Sequence, residues 1–206
     1  MLQLLKNYKQ NDLAYSIGMQ CAPLICGVKI SNLLIIENKE LENINQIFKN
    51  SFININRLYS DENKSILLLY NYKELEGYLH EESIPQFMKA QGYHSLEVED
   101  VLEKIARRFQ GFKANKDNKV NKDWEVVKEE FPHELGIILG YPVWDVMGFI
   151  ENGGKNSLYT GYWKVYKNLD QANETFSKYE MAKALVMKNV IEGSPFYSST
   201  LPQYLR

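Results

Sequence analysis

Hydrophobic residues along the chain follow two kinds of spacing. Apolar positions three or four residues apart predict helices over residues 2–17, around residues 41–48, over 95–111 and from 169 onward. Pro23 is predicted to interrupt the first helix, and Gly111 to close the third. Short apolar or alternating runs predict strands at 33–36, 53–59, 66–70 and 162–166.

The order of these elements predicts the fold class. Strand, helix, strand, strand, helices and a last strand resemble a split βαβ arrangement with extra helices before the last strand. We therefore predict an α+β fold with a small, mostly antiparallel sheet and several packed helices. Residues 1–190 are predicted to form one domain with a variable polar loop at 111–123, and residues 191–206 a C-terminal tail.

Residues 131–154, FPHELGIILGYPVWDVMGFIENGG, predict two short helices joined at Gly140 and Tyr141, since Pro opens each apolar half and Gly closes it. Their periodicity predicts that Leu135, Ile138, Val146, Phe149 and, further on, Trp163 lie in the core. The spacing imitates a helix-turn-helix, but the second segment carries Asp145 and no Arg or Lys. The formal net charge of −2 also argues against general affinity for phosphate backbones. We expect no specific nucleic-acid partner.

The cysteines and the longest uncharged run indicate where in the cell the protein is expected. Cys21 and Cys26 are not spaced as a CxxC pair and lie among apolar residues, as buried thiols do in a reducing cytoplasm. The uncharged run over residues 13–28 contains Pro and Gly and is too short to span a bilayer. The first twelve residues lack the charge order of a signal peptide. These features predict a cytoplasmic protein without a membrane partner.

His133 and Glu134 are the first residues to suggest chemistry. A zinc-protease helix requires HExxH, and Ile137 stands where the second histidine would be. The three histidines share no metal-ligand spacing, so we predict no metal site, and no phosphate-binding glycine motif or other cofactor signature occurs. Glu134 early in a helix also stabilises the positive end of the helix dipole.

ENGGKN and GYWKVY, at 151–156 and 161–166, favour a binding surface. Gly153 and Gly154 can expose backbone amides beside Lys155, an arrangement that holds carboxylates or phosphates. On the following strand Tyr162 and Lys164 share one face. We expect Lys155 and Lys164 to converge on one concavity near Tyr162; a helix cap followed by a solvent-facing edge strand would give the same residues.

QCAPLICGVKISNL, FPHELGIILGYPVWDVMGFIENGGKN and GYWKVYKNLDQANETFSKY together resemble a bacterial family, domain of unknown function 3793, known mainly from clostridia and other anaerobes. The resemblance runs from the first helix to about Lys188 and implies no established reaction. The family's signature positions fall here on Cys21, Ala22, Pro23, Lys29, Asn32, His133, Glu134, Gly140, Tyr141, Pro142, Asp145, Gly148, Asn152, Lys155, Gly161, Tyr162, Trp163 and Lys164.

The chain departs from this family pattern at three positions. Gln20 stands where members often carry His, and Tyr159 and Met181 stand where members often carry Cys. If those groups form a metal or redox site in the family, this chain has lost part of it.

We therefore predict a non-catalytic binding or regulatory domain for a small anionic ligand or a protein partner. The predicted ligand-binding residues are Lys29, Asn32, His133, Tyr141, Lys155, Asn156, Tyr162 and Lys164. The alternative is an enzyme with Cys21 as nucleophile and His133 as base, with Glu134 a further catalytic candidate. A helix-turn-helix DNA-binding protein is the third possibility. The sequence identifies no cofactor.

Overall fold

A three-stranded antiparallel sheet lies at the centre of the computed structural model, which describes residues 13–117 and 130–195. Strands β1 (Ser31–Glu37) and β2 (Ile53–Ser60) flank β3 (Lys64–Asn71), and each pairs with it antiparallel. A helix, α2 (Leu41–Phe48), connects the two outer strands after a 3-10 turn at Asn38–Glu40. This is the predicted split βαβ order, and the α+β fold class is confirmed.

The central strand β3 is buried on both faces. Leu68 belongs to one hydrophobic core, while Leu67 and Leu69 belong to a second core on the other side of the sheet. The first core is covered mainly by helices α3 (Tyr72–Leu79), α4 (Ile84–Ala90), α5 (Val98–Asp117), α6 (Leu135–Ile138) and α7 (Val143–Glu151). The second is covered by α1 (Leu13–Ile25), α2 and α8 (Leu169–Ile191).

Both edges of the sheet are covered by helix side chains. On α1, the Gln20 side-chain oxygen accepts from the Ile35 backbone N–H at 3.1 Å, and the Cys21 thiol contacts the Leu33 carbonyl at 4.0 Å. On α5, Gln110 donates to the Leu58 carbonyl at 3.2 Å. These contacts satisfy backbone groups that would otherwise be free to pair with another strand.

The first and third predicted helices end later than expected. Pro23 was predicted to interrupt the first helix, but it lies inside α1, which continues to Ile25. A proline this close to the end removes few helical hydrogen bonds, and the burial of Leu24 and Ile25 stabilises the last turn. Residues 2–12 of that predicted helix lie outside the described residues.

Gly111 was predicted to close α5 and to open the polar loop. The helix instead runs through it to Asp117, since a single glycine is tolerated inside a helix at a cost of about 1 kcal/mol. The rest of the predicted loop, and the tail from residue 196 onward, lie outside the described residues.

The last predicted strand, 162–166, does not join the central sheet. Instead, a two-stranded antiparallel hairpin forms from β4 (Tyr159–Thr160) and β5 (Lys164–Val165). Trp163, in the turn between them, packs on α8 with Val165, Ala172, Phe176 and Tyr179 in a third, smaller cluster.

The two predicted short helices of the 131–154 segment are present as α6 and α7. They meet at Gly140, whose φ of +73° is left-handed, and a Cβ there would lie 2.9 Å from Ile30. Leu135, Ile138, Val146 and Trp163 are buried as predicted. Phe149 is only half-buried, because its ring borders open space. Among the described residues, no helix has the length and apolar character needed to cross a bilayer.

Candidate ligand-binding cavity

A cavity of about 390 Å³ opens between the 131–149 segment and the β4–β5 hairpin. We call it the aromatic cavity, because six rings line it: Phe131, His133, Tyr141, Phe149, Tyr162 and Trp163. Leu33, Gly136, Asp145, Thr160, Gly161 and Lys164 are among the other lining residues. Of the predicted ligand-binding residues, the structure brings His133, Tyr141, Tyr162 and Lys164 to this one place.

Asp145 connects α7 to the β4–β5 hairpin and forms part of the cavity wall. Its carboxylate is buried, with 2% of the residue exposed. One oxygen accepts from the Trp163 indole N–H at 2.7 Å. The other accepts from the backbone N–H groups of Tyr166 at 2.7 Å and Lys167 at 3.1 Å. Three donors therefore compensate this charge, and the indole ring is fixed in one orientation.

Trp163 is held on its other sides by ring contacts. It stacks on Tyr141 with ring centroids 5.2 Å apart and an interplanar angle of 28°. It also meets Phe176 edge-on at 4.5 Å. A Cβ at Gly161 would lie 2.4 Å from the Phe176 ring, so this close packing requires glycine at that position.

Lys164 supplies the positive charge of the aromatic cavity. Its ammonium donates to the Gly154 carbonyl and lies 5.9 Å from the centroid of the Phe149 ring. Among the ion pairs that the described residues form, none includes Lys164. An ammonium has three N–H donors, so donors remain after the bond to Gly154.

His133, like Lys164, lies near the Phe149 ring. Its ring is half-buried, 5.3 Å from the Phe149 ring and 5.5 Å from the Phe131 ring, measured between centroids. An imidazole and an ammonium therefore both lie close to one aromatic wall of the cavity.

Lys155 and Asn156 do not line the aromatic cavity. Both are exposed, and the Lys155 backbone N–H closes a turn onto the Asn152 carbonyl at 3.0 Å. The structure therefore does not place Lys155 beside Lys164 in this cavity. Within the described residues, Lys164 is the one lysine that borders it.

Lys29 and Asn32 lie in a separate group that we call the Lys29 cluster: Cys21, Lys29, Asn32, Tyr141 and Tyr179. The Lys29 ammonium donates to the Asn32 side-chain oxygen at 2.7 Å and lies 5.4 Å and 5.9 Å from the Tyr141 and Tyr179 ring centroids. The Asn32 amide donates to the Gln20 carbonyl and, at 3.1 Å, to the Leu33 carbonyl. Burial lowers the pKa of Lys29 to about 8, although the nearby Cys21 raises it.

Cys21 is fully buried in the same cluster. Burial raises the pKa of its thiol to about 12, against the opposing influence of Lys29 and Asn32. A nucleophilic cysteine needs a lowered pKa and access to substrate, so this environment favours an inert thiol. The His133 ring contacts Phe131 and Phe149 instead.

Glu134 is buried in an ion pair that the sequence did not reveal. Arg108 donates to its carboxylate, and the Tyr93 hydroxyl donates to the same oxygen at 3.0 Å. Arg108 lies in the middle of α5 and reaches across to Glu134 at the start of α6. Burial and a charged partner favour a structural role for Glu134.

A second cavity of about 250 Å³ lies beyond the Asp145 and Trp163 wall. Its lining includes polar side chains as well as apolar ones, among them Glu81, Glu82, Lys167 and Gln171. Sequence reasoning missed it because its walls come from α3, α7 and α8, which are distant in sequence. In the sequence, the one sign of a polar site there was Asp145, a carboxylate in an otherwise apolar segment. Among the described residues, no group of three or more His, Cys, Asp or Glu side chains is arranged to hold a metal ion.

Comparison with known proteins yields one match. The family model described as Protein of unknown function (DUF3793) matches residues 17–198. No curated protein and no solved structure matches the chain. The matched region includes the aromatic cavity, the Lys29 cluster and all described strands. The chain therefore belongs to the DUF3793 family.

Proposed function

We propose that the protein is a cytoplasmic, non-catalytic binding domain that holds a small anionic ligand in the aromatic cavity. The observation that carries this proposal is the Lys164 ammonium beside a cavity of about 390 Å³. Cavities of about 300–1,000 Å³ that combine apolar walls with a few polar groups are typical of small-molecule sites.

The charges around the cavity favour an anion. Asp145 is the acidic residue among the lining residues, and three N–H groups already donate to it. Lys164 has a neutral carbonyl as its hydrogen-bond partner, so its positive charge is not cancelled by that bond. A bound anion would compensate this charge, whereas a bound cation would face it.

Two features support binding over catalysis: Cys21 is buried with a raised pKa, and Glu134 is paired with Arg108. Both cysteines are buried thiols, without a disulfide between them. Reduced, buried thiols are typical of cytoplasmic proteins, which supports that location.

A protein partner is the second candidate. Leu158 is 61% exposed and Tyr159 is 49% exposed, and both precede Thr160, which borders the cavity. Exposed apolar side chains beside a cavity are typical of an interaction surface. A peptide whose acidic side chain enters the cavity would use both features.

Titration with 1-anilinonaphthalene-8-sulfonate, an apolar monoanion that fluoresces when buried, tests the proposal. We expect saturable binding of one molecule per chain, weakened about tenfold in Lys164→Met because a charge-assisted hydrogen bond is lost. Lys155→Met is the matched control, since it removes an exposed lysine of the same surface region, and should bind like the parent. Equal affinities of the parent and Lys164→Met, or no saturable binding, would overturn the proposal.

A further inference from the structure

We infer that the anion bound in the aromatic cavity is a planar aromatic carboxylate. This inference rests on the proposed function and adds the chemical class of the ligand. Three observations carry it: the fixed flat walls of the cavity, the one lysine among its described lining residues, and its volume.

Three of the wall rings are held in place by contacts within the protein. Trp163 is fixed by its bond to Asp145, and Tyr141 by stacking on Trp163. The Tyr162 hydroxyl donates to the Glu180 carboxylate on α8 at 2.6 Å. The cavity therefore presents flat surfaces that do not need to be ordered when a ligand enters.

Flat, fixed surfaces favour a flat, rigid ligand. A planar ring system can lie against ring faces or meet their edges at the separations that aromatic pairs prefer. It also has few rotatable bonds, so it loses little conformational freedom on binding. A flexible acyl chain of similar apolar area loses more, because each of its bonds must be fixed.

The single lysine favours a monoanion, and hence a carboxylate over a phosphate. Lys164 is the lysine that borders the cavity, and the described lining contains no arginine. A phosphate dianion would keep one charge without a fixed cation in largely apolar surroundings, which is unfavourable. A carboxylate matches one ammonium in charge.

The volume limits the size of the ring system. About 390 Å³ lies near the lower end of the range of small-molecule sites. This space suits a ligand of one or two fused rings with a short carboxylate arm. We therefore choose 2-naphthoate as the probe.

Three probes separate planarity from charge when each displaces 1-anilinonaphthalene-8-sulfonate from the parent protein. They are 2-naphthoate, the flexible carboxylate decanoate, and the neutral planar 2-naphthylmethanol. We expect 2-naphthoate to bind at least about tenfold more tightly than either of the others, since each lacks one of the two matched features. In Lys164→Met, 2-naphthoate and 2-naphthylmethanol should bind alike.

A variant of one wall tests the role of the rings. Phe149→Leu removes a ring that lines the cavity but keeps an apolar side chain there. It should weaken 2-naphthoate several-fold and leave decanoate unchanged, while the melting curve shows that the chain remains folded. Decanoate binding as tightly as 2-naphthoate, or an unchanged 2-naphthoate affinity in Phe149→Leu, overturns the aromatic class and leaves the anion site standing. If none of the anions binds, the proposed function itself fails.

Discussion

Lys29 and Lys164 both lie beside aromatic rings, and both donate to an uncharged oxygen of the protein. Their surroundings differ in how much empty space adjoins the ammonium group. Lys29 is enclosed by Asn32, Cys21 and two tyrosine rings, whereas Lys164 borders a cavity of about 390 Å³. Protein groups surround the first ammonium, whereas the second adjoins empty space.

Under the proposed function, this difference distinguishes a structural lysine from a ligand-binding one, which residue type does not. The sequence places both lysines among the family's signature positions, and both were predicted ligand-binding residues. In the Lys29 cluster, Cys21, Lys29 and Asn32 all make hydrogen bonds within the protein. Around Lys164 the wall is fixed, but space remains for another molecule. Free volume beside a fixed charge is therefore the better indicator of a site.

The largest expected loss of stability comes from removing the Asp145 hydrogen bonds that hold one wall of the aromatic cavity in place. Asp145→Ala removes the acceptor for Trp163, Tyr166 and Lys167 and leaves three donors inside the structure. We expect the free energy of unfolding to fall by about 3–5 kcal/mol, as when a buried charged partner is removed. Urea denaturation measures this change.

Asp145→Asn is the matched control for that prediction. The asparagine keeps a side-chain oxygen that accepts from the Tyr166 and Lys167 backbone amides. Its NH2 group, however, faces the Trp163 indole N–H, so that two donors meet and one hydrogen bond is lost. Its loss of stability should therefore be smaller. A loss below about 1 kcal/mol for Asp145→Ala would contradict the role of Asp145 as the fixed point of the wall.

Much of the fold could be predicted from the sequence because local periodicity specifies it. The strands β2 and β3 and the helices α2 and α8 follow from apolar spacing alone. The hairpin at Tyr159–Val165 could not be placed, since strands of two residues carry too little pattern to select a partner. The end of α5 was misjudged because Gly111 is tolerated within a helix when packing supports it.

The site was predictable only in part. His133, Tyr141, Tyr162 and Lys164 come together because two short segments place them, and those segments were recognised. Lys155 was misplaced because the direction of a side chain after Gly153 and Gly154 depends on the turn that they adopt. The Arg108 and Glu134 pair joins α5 to α6 over 26 positions, and spacing within one helix contains no information about such a contact.

A second prediction tests whether Phe149 belongs to a wall or to the core. Phe149 is half-buried at the cavity, whereas Ile138 is fully buried. Ile138→Ala should cost about 2–5 kcal/mol of unfolding free energy, as buried large-to-small changes do. Phe149→Ala should cost about half of the 3–5 kcal/mol expected for a buried phenylalanine, because much of its ring already faces open space. A loss from Phe149→Ala that exceeds the loss from Ile138→Ala would place Phe149 in the core.

The smallest expected effect is a change of the unfolding free energy with pH, which distinguishes Lys29 from Lys164. Burial lowers the pKa of Lys29 to about 8 from an ordinary value of 10.5. Below pH 8 both the folded and the unfolded chain carry this proton, so the cost of burying the charge is fully present. Between pH 8 and 10.5 the folded chain releases the proton while the unfolded chain keeps it. The unfolded chain then binds more protons, and stability rises with pH.

The Cys21 thiol acts in the opposite direction, but at higher pH. Its pKa is raised from 9.0 to about 12, so the unfolded chain ionises first and stability falls as pH rises past 9.0. The contribution of Lys29 is therefore least affected by Cys21 in the interval from pH 8 to pH 9. Across it, the free energy of unfolding of the parent should rise by about 1 kcal/mol relative to Lys29→Met. Lys164→Met leaves the Lys29 cluster intact and should follow the parent. If Lys29→Met and the parent change in parallel across this interval, Lys29 is not held as a buried amine, and the contrast between the two lysines fails.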